Sequence, residues 1–283
     1  EFDLTQPGHA ERMIAAHRPS EVFHLAAQVG GIGYNLAQPA PLYLSNLLMG
    51  THVIEAARHG GVDNTVLVGT VCSYPKFTPV PFAEADLWNG YPEESNAPYG
   101  IAKKAHLVHA QVNALQYGQR FAYLIPTNLY GPGDKFHPSV SHVIPALIKK
   151  CVEATEAGAS HVDVWGTGSA SREYLYVDDA ARAIVRAGES GADDGPLEPI
   201  NLGADREVTI KETVETIAAL VGFSGELRWD ATKPDGQPRR GVDGSRANSV
   251  LGWSPEVSFD AGLRATIDWY LANRVEAERD PHA

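Results

Sequence analysis

The chain has 283 residues, long for one simple domain and suited to two lobes built around a shared sheet system. Asp and Glu number 35 against 23 Lys and Arg, and the net charge of −12 argues against a nucleic-acid binder as the global reading. Two cysteines make no disulfide framework, and without an 18-residue apolar run there is no case for a membrane span, so a cytoplasmic protein is expected.

Asp3 to Arg18 reads as the end of a strand and then a helix, closed by Pro19. Val22 to Ala27 is an apolar run of buried-strand length. The glycines of the VGGIGYN stretch after it lack the Gly-x-Gly-x-x-Gly spacing of a dinucleotide fingerprint, so that stretch is read as a loop. A parallel sheet without its first strand–helix unit would leave backbone unpaired. The sequence is therefore expected to start after a segment that carries the fingerprint.

Pro41 to His59 has helical apolar spacing at Leu44, Leu47, Leu48, Val53, Ile54 and Ala57, as a core-packing crossover helix requires. Asn64 to Val68 is a β-branched apolar strand that ends at Gly69, with Thr70 and Cys72 on the turn leaving the sheet. The Pro- and acid-rich stretch 77–96 is long for a connection, and such loops often shape substrate sites. Pro98 opens the next helix, with Asn96 as its cap. Tyr99 and Lys103 are four apart and share a face of it. A Lys⁺ so placed is expected to favour the phenolate and lower the Tyr99 pKa, suiting a phenol to proton exchange near neutrality. Tyr-x-x-x-Lys arises by chance in many helices; the hydroxyl at the preceding strand end gives it chemical meaning.

Phe121 to Pro126 is the next strand, and Thr127 to Gly131 follows at its carboxyl end, the edge where open α/β sheets bind ligands. Asn128 there can donate and accept, which fits it to orient a nicotinamide amide or a sugar hydroxyl. His142 opens a helix running through Lys150 and Cys151. Val162 to Trp165 is a short strand, turned by Gly166 to Gly168 into Ser171-Arg172-Glu173. Asp178 and Asp179 begin another helix and are read as caps; no metal site is read anywhere. A strand at 199–202, a helix at 210–221, a strand at 226–229, the loop KPDGQPRR at 233–240 and helices at 243–251 and 259–273 complete the alternation. Leu263, Ile267 and Tyr270 share one face of the last helix, and the tail from Glu276 is expected to fray.

The Thr–Tyr–Lys constellation resembles the extended short-chain dehydrogenases/reductases. The runs PTNLYGPGDKFHPSVSHVIPALIKK (126–150), VWGTGSASREYLYVDD (164–179) and KPDGQPRR narrow the resemblance to the GDP-L-fucose synthases, from about Glu1 to Asn273. The resemblance implies an α/β fold: a Rossmann-type doubly wound parallel sheet with a smaller α/β substrate lobe. The dinucleotide lobe would take 1–134 and 174–204, and the nucleotide-sugar lobe 135–173 and 205–283. It further implies NADPH-dependent epimerisation and reduction of GDP-4-keto-6-deoxy-D-mannose to GDP-L-fucose, or a close variant. NADP(H) would be the cofactor with NAD(H) still open, a GDP-linked sugar the substrate, and a second copy of the chain the partner in a homodimer. Two alternatives stay open: an epimerase or dehydratase that retains its NAD, and a non-catalytic nucleotide-binding relative, against which intact Tyr99, Lys103 and Cys72 weigh.

Carried over by resemblance, the catalytic positions are Thr70, Cys72, Tyr99, Lys103 and His142. The cofactor positions are Ala26, Gly69, Thr70, Tyr99, Lys103, Pro126, Thr127, Asn128, Leu129 and His142. The substrate positions are Asn128, Lys150, Trp165, Arg172, Asp235 and Arg240, of which Lys150, Arg172 and Arg240 offer cations to a diphosphate. A 4-keto group acidifies carbons 3 and 5, so inversion needs a base and an acid on opposite faces of the ring. Cys72, as a thiolate beside cations, and His142 fill those roles in the family pattern. Two departures stand out. Thr70-Val71-Cys72 replaces the Ser-Ser-Cys of better-known members, and Arg240 replaces a Lys of some.

Overall fold

The computed structural model describes residues 1–190, 197–204, 206–233 and 237–279. In chain order these form α1 (His9–His17), β1 (Glu21–His24), α2 (Ile32–Ala37), α3 (Pro39–His59), β2 (Asn64–Val68), α4 (Ala97–Tyr117), β3 (Arg120–Pro126) and β4 (Asn128–Tyr130). There follow α5 (Val143–Glu156), β5 (His161–Trp165), β6 (Ser171–Tyr176), α6 (Val177–Ser190), β7 (Ile200–Leu202) and β8 (Glu207–Thr209). The chain continues through α7 (Ile210–Val221), β9 (Glu226–Asp230), α8 (Ser245–Leu251), α9 (Phe259–Ala272) and α10 (Arg274–Ala277).

Strands β1, β2, β3 and β7 lie side by side in that order, all parallel. Successive side chains of β3 point to opposite faces, so the strand builds two cores at once. Phe121, Tyr123 and Ile125 pack with Ile54 of α3 and Leu107 and Ala110 of α4. Ala122 and Leu124 pack with Ala180, Ala183 and Ala187 of α6 and Ala247 and Leu251 of α8. The sheet is thus covered by helices on both faces, the doubly wound arrangement expected of this pattern. Because the strands are parallel, the segments after β1, β2 and β3 all emerge at one edge.

A separate core gathers β4, β5, β6 and β8 against α5, α7 and α9. Aromatic rings dominate it: Tyr174 stacks on Phe259 at 5.7 Å, and Phe136 stacks on Tyr270 at 4.2 Å. Leu263, Ile267 and Tyr270 are buried as their spacing requires.

Three local expectations are corrected. Residues 32–37 of the glycine-rich stretch are helical, not loop. Asn96 occupies the cap position of α4 without capping it; its side chain instead bonds Glu93 at 2.7 Å and Asn35 at 3.3 Å. The tail through Glu278 is docked, since that carboxylate accepts from Tyr270 at 2.6 Å and pairs with Lys149, while Ala277 O accepts from Phe136 N at 2.9 Å.

Asp179 reaches beyond its own helix. Fully buried, its Oδ2 accepts from the backbone N–H groups of Glu256 at 3.1 Å and Val257 at 3.0 Å, and its Oδ1 lies 2.7 Å from Arg182. Removing the carboxylate strands two backbone donors. Asp179→Ala should therefore cost about 3 kcal/mol of stability, read as a lower urea midpoint at unchanged slope. An unchanged midpoint would show that the loop after α8 holds without it.

Candidate active site

The strand end after β2 turns at once into a single turn of 3₁₀ helix, Val71–Ser73. Thr70 Oγ1 accepts from Cys72 N–H at 3.2 Å, which fixes the turn and leaves the hydroxyl proton free to donate. Val71, the departure from Ser-Ser-Cys, is buried among Ile54, Tyr74 and Phe82, so the change falls in the core under the turn. Helix α4 leans directly on this turn. A Cβ at Gly100 would sit 2.4 Å from the Cys72 carbonyl, so only glycine permits the approach. Ser73 Oγ then donates to Gly100 O at 3.0 Å.

That approach brings Tyr99 and Lys103 beside Thr70 and Cys72. Lys103 Nζ lies 5.9 Å from the centre of the Tyr99 ring, and the Lys103 carbonyl accepts from Tyr123 OH at 2.7 Å. The expected lowering of the Tyr99 pKa is not found. Burial, with the Cys72 charge adding to it, pushes the phenol above its ordinary value. Burial also pulls Lys103 down to about 8. Both shifts have one cause: a desolvated side chain resists its charged form, and a lysine nearly 6 Å away does not outweigh that. The result is a phenol held protonated, so that it carries a proton when a substrate oxygen arrives. Beneath it His24 and His106 are also buried, and desolvation followed by the Lys103 charge takes them to about 3 and about 4, so both are neutral at pH 7.

The shared strand edge holds the other cofactor candidates. Ala26 is exposed just beyond β1, Gly69 is buried with its N–H donating to Leu124 O at 2.7 Å, and Pro126 is buried at the end of β3. Thr127 hydrogen-bonds the Glu173 carbonyl, and Asn128 Nδ2 donates to the same oxygen at 3.0 Å, leaving Asn128 Oδ1 able to accept. Leu129 is partly exposed. His142, the exposed residue before α5, enters from elsewhere, where a Cβ at Gly31 would come within 2.8 Å of Ser141 O. It lies near enough to Asp134 to oppose electrostatically the rise that burial imposes on that carboxyl. Among the described residues no hydrogen bond joins His142 to Cys72.

The substrate candidates fall into two groups. Arg172 Nη1 donates to the carbonyls of Ser171 and Gln237, each at 2.6 Å. Arg240 grips Gln237 Oε1 with Nε at 3.3 Å and Nη2 at 3.2 Å, and its Nη1 reaches Cys72 Sγ at 3.7 Å. In the second group Lys150 donates to Asp163 O at 2.9 Å and lies 5.7 Å over the Trp165 ring, with Lys233 at 5.4 Å. Trp165 is 63% exposed, which disposes of a core role. Asp235 lies outside the described residues. Glu173 went unnoticed in the sequence. Only 4% exposed, it accepts from Ala204 N at 2.5 Å and Val242 N at 2.7 Å.

The profile described as the NAD dependent epimerase/dehydratase family matches residues 1–203. GDP-L-fucose synthase 1 of Arabidopsis thaliana is 45% identical over 273 residues, which cover 96% of this chain and 83% of that protein. GDP-L-fucose synthase of Escherichia coli (strain K12) is 40% identical over 280 residues, covering 97% and 87%. This chain belongs to the NAD dependent epimerase/dehydratase family, among its GDP-L-fucose synthases. A solved GDP-L-fucose synthetase from Naegleria fowleri, bound to NADP, shares the fold at a TM-score of 0.87 and 27% identity, covering 98% of this chain and 85% of that one.

On the strand-end turn Thr70 carries a hydroxyl and Val71 contributes packing to the core beneath it.

Proposed function

We propose that this protein converts GDP-4-keto-6-deoxy-D-mannose to GDP-L-fucose in the cytoplasm, with NADPH as reductant. The observation that carries the reading is the meeting of Tyr99 and Lys103 with the Thr70–Cys72 turn, where a protonated phenol stands beside a thiol touched by Arg240. The cofactor fits the residues present. Lys103 is 2% exposed, and among the described residues nothing accepts a hydrogen bond from its ammonium, as suits a cation reserved for ligand hydroxyls. Ala26, Gly69, Thr70 and the Pro126–Leu129 segment would line the cofactor along the common strand edge, with His142 at its margin. NADPH when bound supplies the hydride for carbon 4.

The chain's own residues do the rest. Cys72 as thiolate takes a proton from carbon 3 or 5, and the C–H electron pair moves into the ketone to give an enolate. Thr70 and Tyr99 offer hydrogen bonds to that oxygen. His142 returns a proton to the opposite face of the ring, completing inversion. Tyr99 then donates its proton to the carbon-4 oxygen as reduction proceeds, with the Lys103 charge stabilising the phenolate left behind. In this reading 1–134 and 174–204 form the dinucleotide lobe, and 135–173 and 205–283 the nucleotide-sugar lobe. Trp165 with Lys150, together with Asp235, serves the nucleotide end, and Arg172 the diphosphate. The free thiol the mechanism requires suits a reducing compartment. No helix among the described residues is long and apolar enough to cross a membrane.

Arg172→Ala should weaken binding of the GDP-sugar by about 1.5–3 kcal/mol, the worth of a charge-assisted contact, and leave NADPH affinity unchanged. Calorimetry with each ligand checks this; equal losses for both would remove Arg172 from the diphosphate. A homodimer is supported by the outer faces of α3 and α4, where Leu44, Val108, Val112 and Leu115 lie exposed. Val112→Glu with Leu115→Glu should reduce the sedimenting mass from two chains to one, and a wild type that already sediments as one chain would end the proposal.

Turnover tests the function itself. The GDP-keto-sugar is supplied with NADPH or NADH, and the product is identified by NMR. GDP-L-fucose with net consumption of NADPH is expected. Product formed without consumption would install the NAD-retaining reading instead.

A further inference from the structure

Three separate contacts end on Gln237, a residue to which neither motif nor resemblance gave a role. Its Oε1 takes the Nε and Nη2 edge of Arg240, its Nε2 donates to Lys76 O at 2.9 Å, and its backbone carbonyl takes Arg172 Nη1. The contact to Lys76 O fixes the amide, because a carbonyl can receive only from nitrogen; the oxygen must then face the guanidinium. A guanidinium is a rigid planar fork, so holding one edge at two points sets the direction of its remaining nitrogen. That nitrogen is Nη1, and it points at Cys72 Sγ from 3.7 Å.

We propose that Gln237 is a positioning residue that aims Arg240 at Cys72 and thereby sets the reactivity of that thiol. A guanidinium N–H aimed at the sulfur from this distance donates to it and stabilises negative charge that develops there during reaction, as nucleophile or as base. Without the grip of Gln237, the long Arg240 side chain is released into many rotamers and the field on the sulfur is diluted. The pairing also accounts for arginine at position 240. A lysine ammonium could carry the charge, but it has no planar edge for an amide oxygen to hold at two points. The proposal rests on the role given above to Cys72 as base, yet it concerns the state of the thiol before any substrate arrives. The loop 237–240 thus links the thiol to Arg172 and, through Lys76, to the Pro-rich loop.

The test is the rate at which iodoacetamide alkylates Cys72 at pH 7, located by peptide mass spectrometry on the whole protein. Cys151 is fully buried, so reaction at Cys72 is read without interference. Gln237→Leu should slow alkylation by about tenfold, the loss of one charge-assisted contact, and Arg240→Lys should slow it by a similar factor. The double variant should be no slower than the slower single one, since Gln237 acts only through Arg240. A purely structural role for Gln237 predicts something else: additive slowing in the double variant, with a lowered melting temperature. Additivity overturns the proposal, as does an unchanged alkylation rate in both single variants. If Gln237→Leu does not fold, Arg240→Lys carries the test alone, because it must still slow alkylation. Solvent deuterium exchange at carbons 3 and 5 of the GDP-keto-sugar should fall in step with alkylation. A wild type that alkylates as expected but exchanges no deuterium refutes the function proposed above, while the alkylation series continues to support Gln237.

Discussion

Tyr99→Phe should remain folded and bind both NADPH and the GDP-sugar, while reduction at carbon 4 slows by about 10²–10⁴-fold, the range for loss of a positioned general acid. The substitution removes one hydroxyl and keeps the ring that packs at the head of α4. What is lost is the proton that burial holds on the phenol; His24 and His106 are neutral at pH 7 and hold no imidazolium proton to take its place. A pH profile of the wild type adds a second reading. Lys103 titrates near 8, cationic below that value and neutral above it. The phenolate left by proton transfer is stabilised only by the cation, so kcat/KM for reduction should fall as pH rises through about 8. Stopped-flow loss of NADPH with the variant, and its pH dependence with the wild type, check both points. Full reductase activity in Tyr99→Phe would move the acid elsewhere.

The second large effect belongs to carbon acidity. Cys72→Ser and His142→Ala should each slow solvent deuterium exchange at carbons 3 and 5 by about 10²–10⁴-fold, and slow carbonyl reduction far less. Serine occupies the same turn, but its hydroxyl stays protonated at neutral pH and cannot serve as the base. Loss of the imidazole removes the group proposed to return the proton. NMR of the sugar in deuterated solvent reads each position separately. If both variants exchange at wild-type rates, epimerisation drops out and a reductase remains.

The larger architecture was legible because its signals are local. The β-branched run at 64–68, the continuous apolar run through 121–126 and the helical spacing from Pro41 to His59 each announce an element without help from the rest of the chain. The i,i+4 pair of Tyr99 and Lys103 was likewise readable from spacing alone. Strands β4 and β8 were not, because three-residue strands such as Asn128–Tyr130 leave no periodicity and exist only through their partners. The Tyr99 pKa was misjudged for a related reason: sequence shows the neighbouring charge but not the burial that outweighs it. Asp179 looked like a helix cap because its partners, Glu256 and Val257, lie far along the chain. Gln237 escaped notice since a lone glutamine in a loop carries no pattern. Its meaning lies in what it holds.

Glu173 has a consequence of this kind at longer range. Its carboxylate ties the segment after β7 to residue 242, its carbonyl holds Thr127 and Asn128 at the cofactor edge, and its N–H binds Arg240 O at 3.0 Å. One buried residue therefore joins the strand edge assigned to the dinucleotide with the loop assigned to the sugar nucleotide. Ordering either segment restrains the other, so the entropy lost when the first ligand docks need not be lost again for the second. The two ligands should then bind with positive cooperativity, each raising the affinity of the other by the same factor.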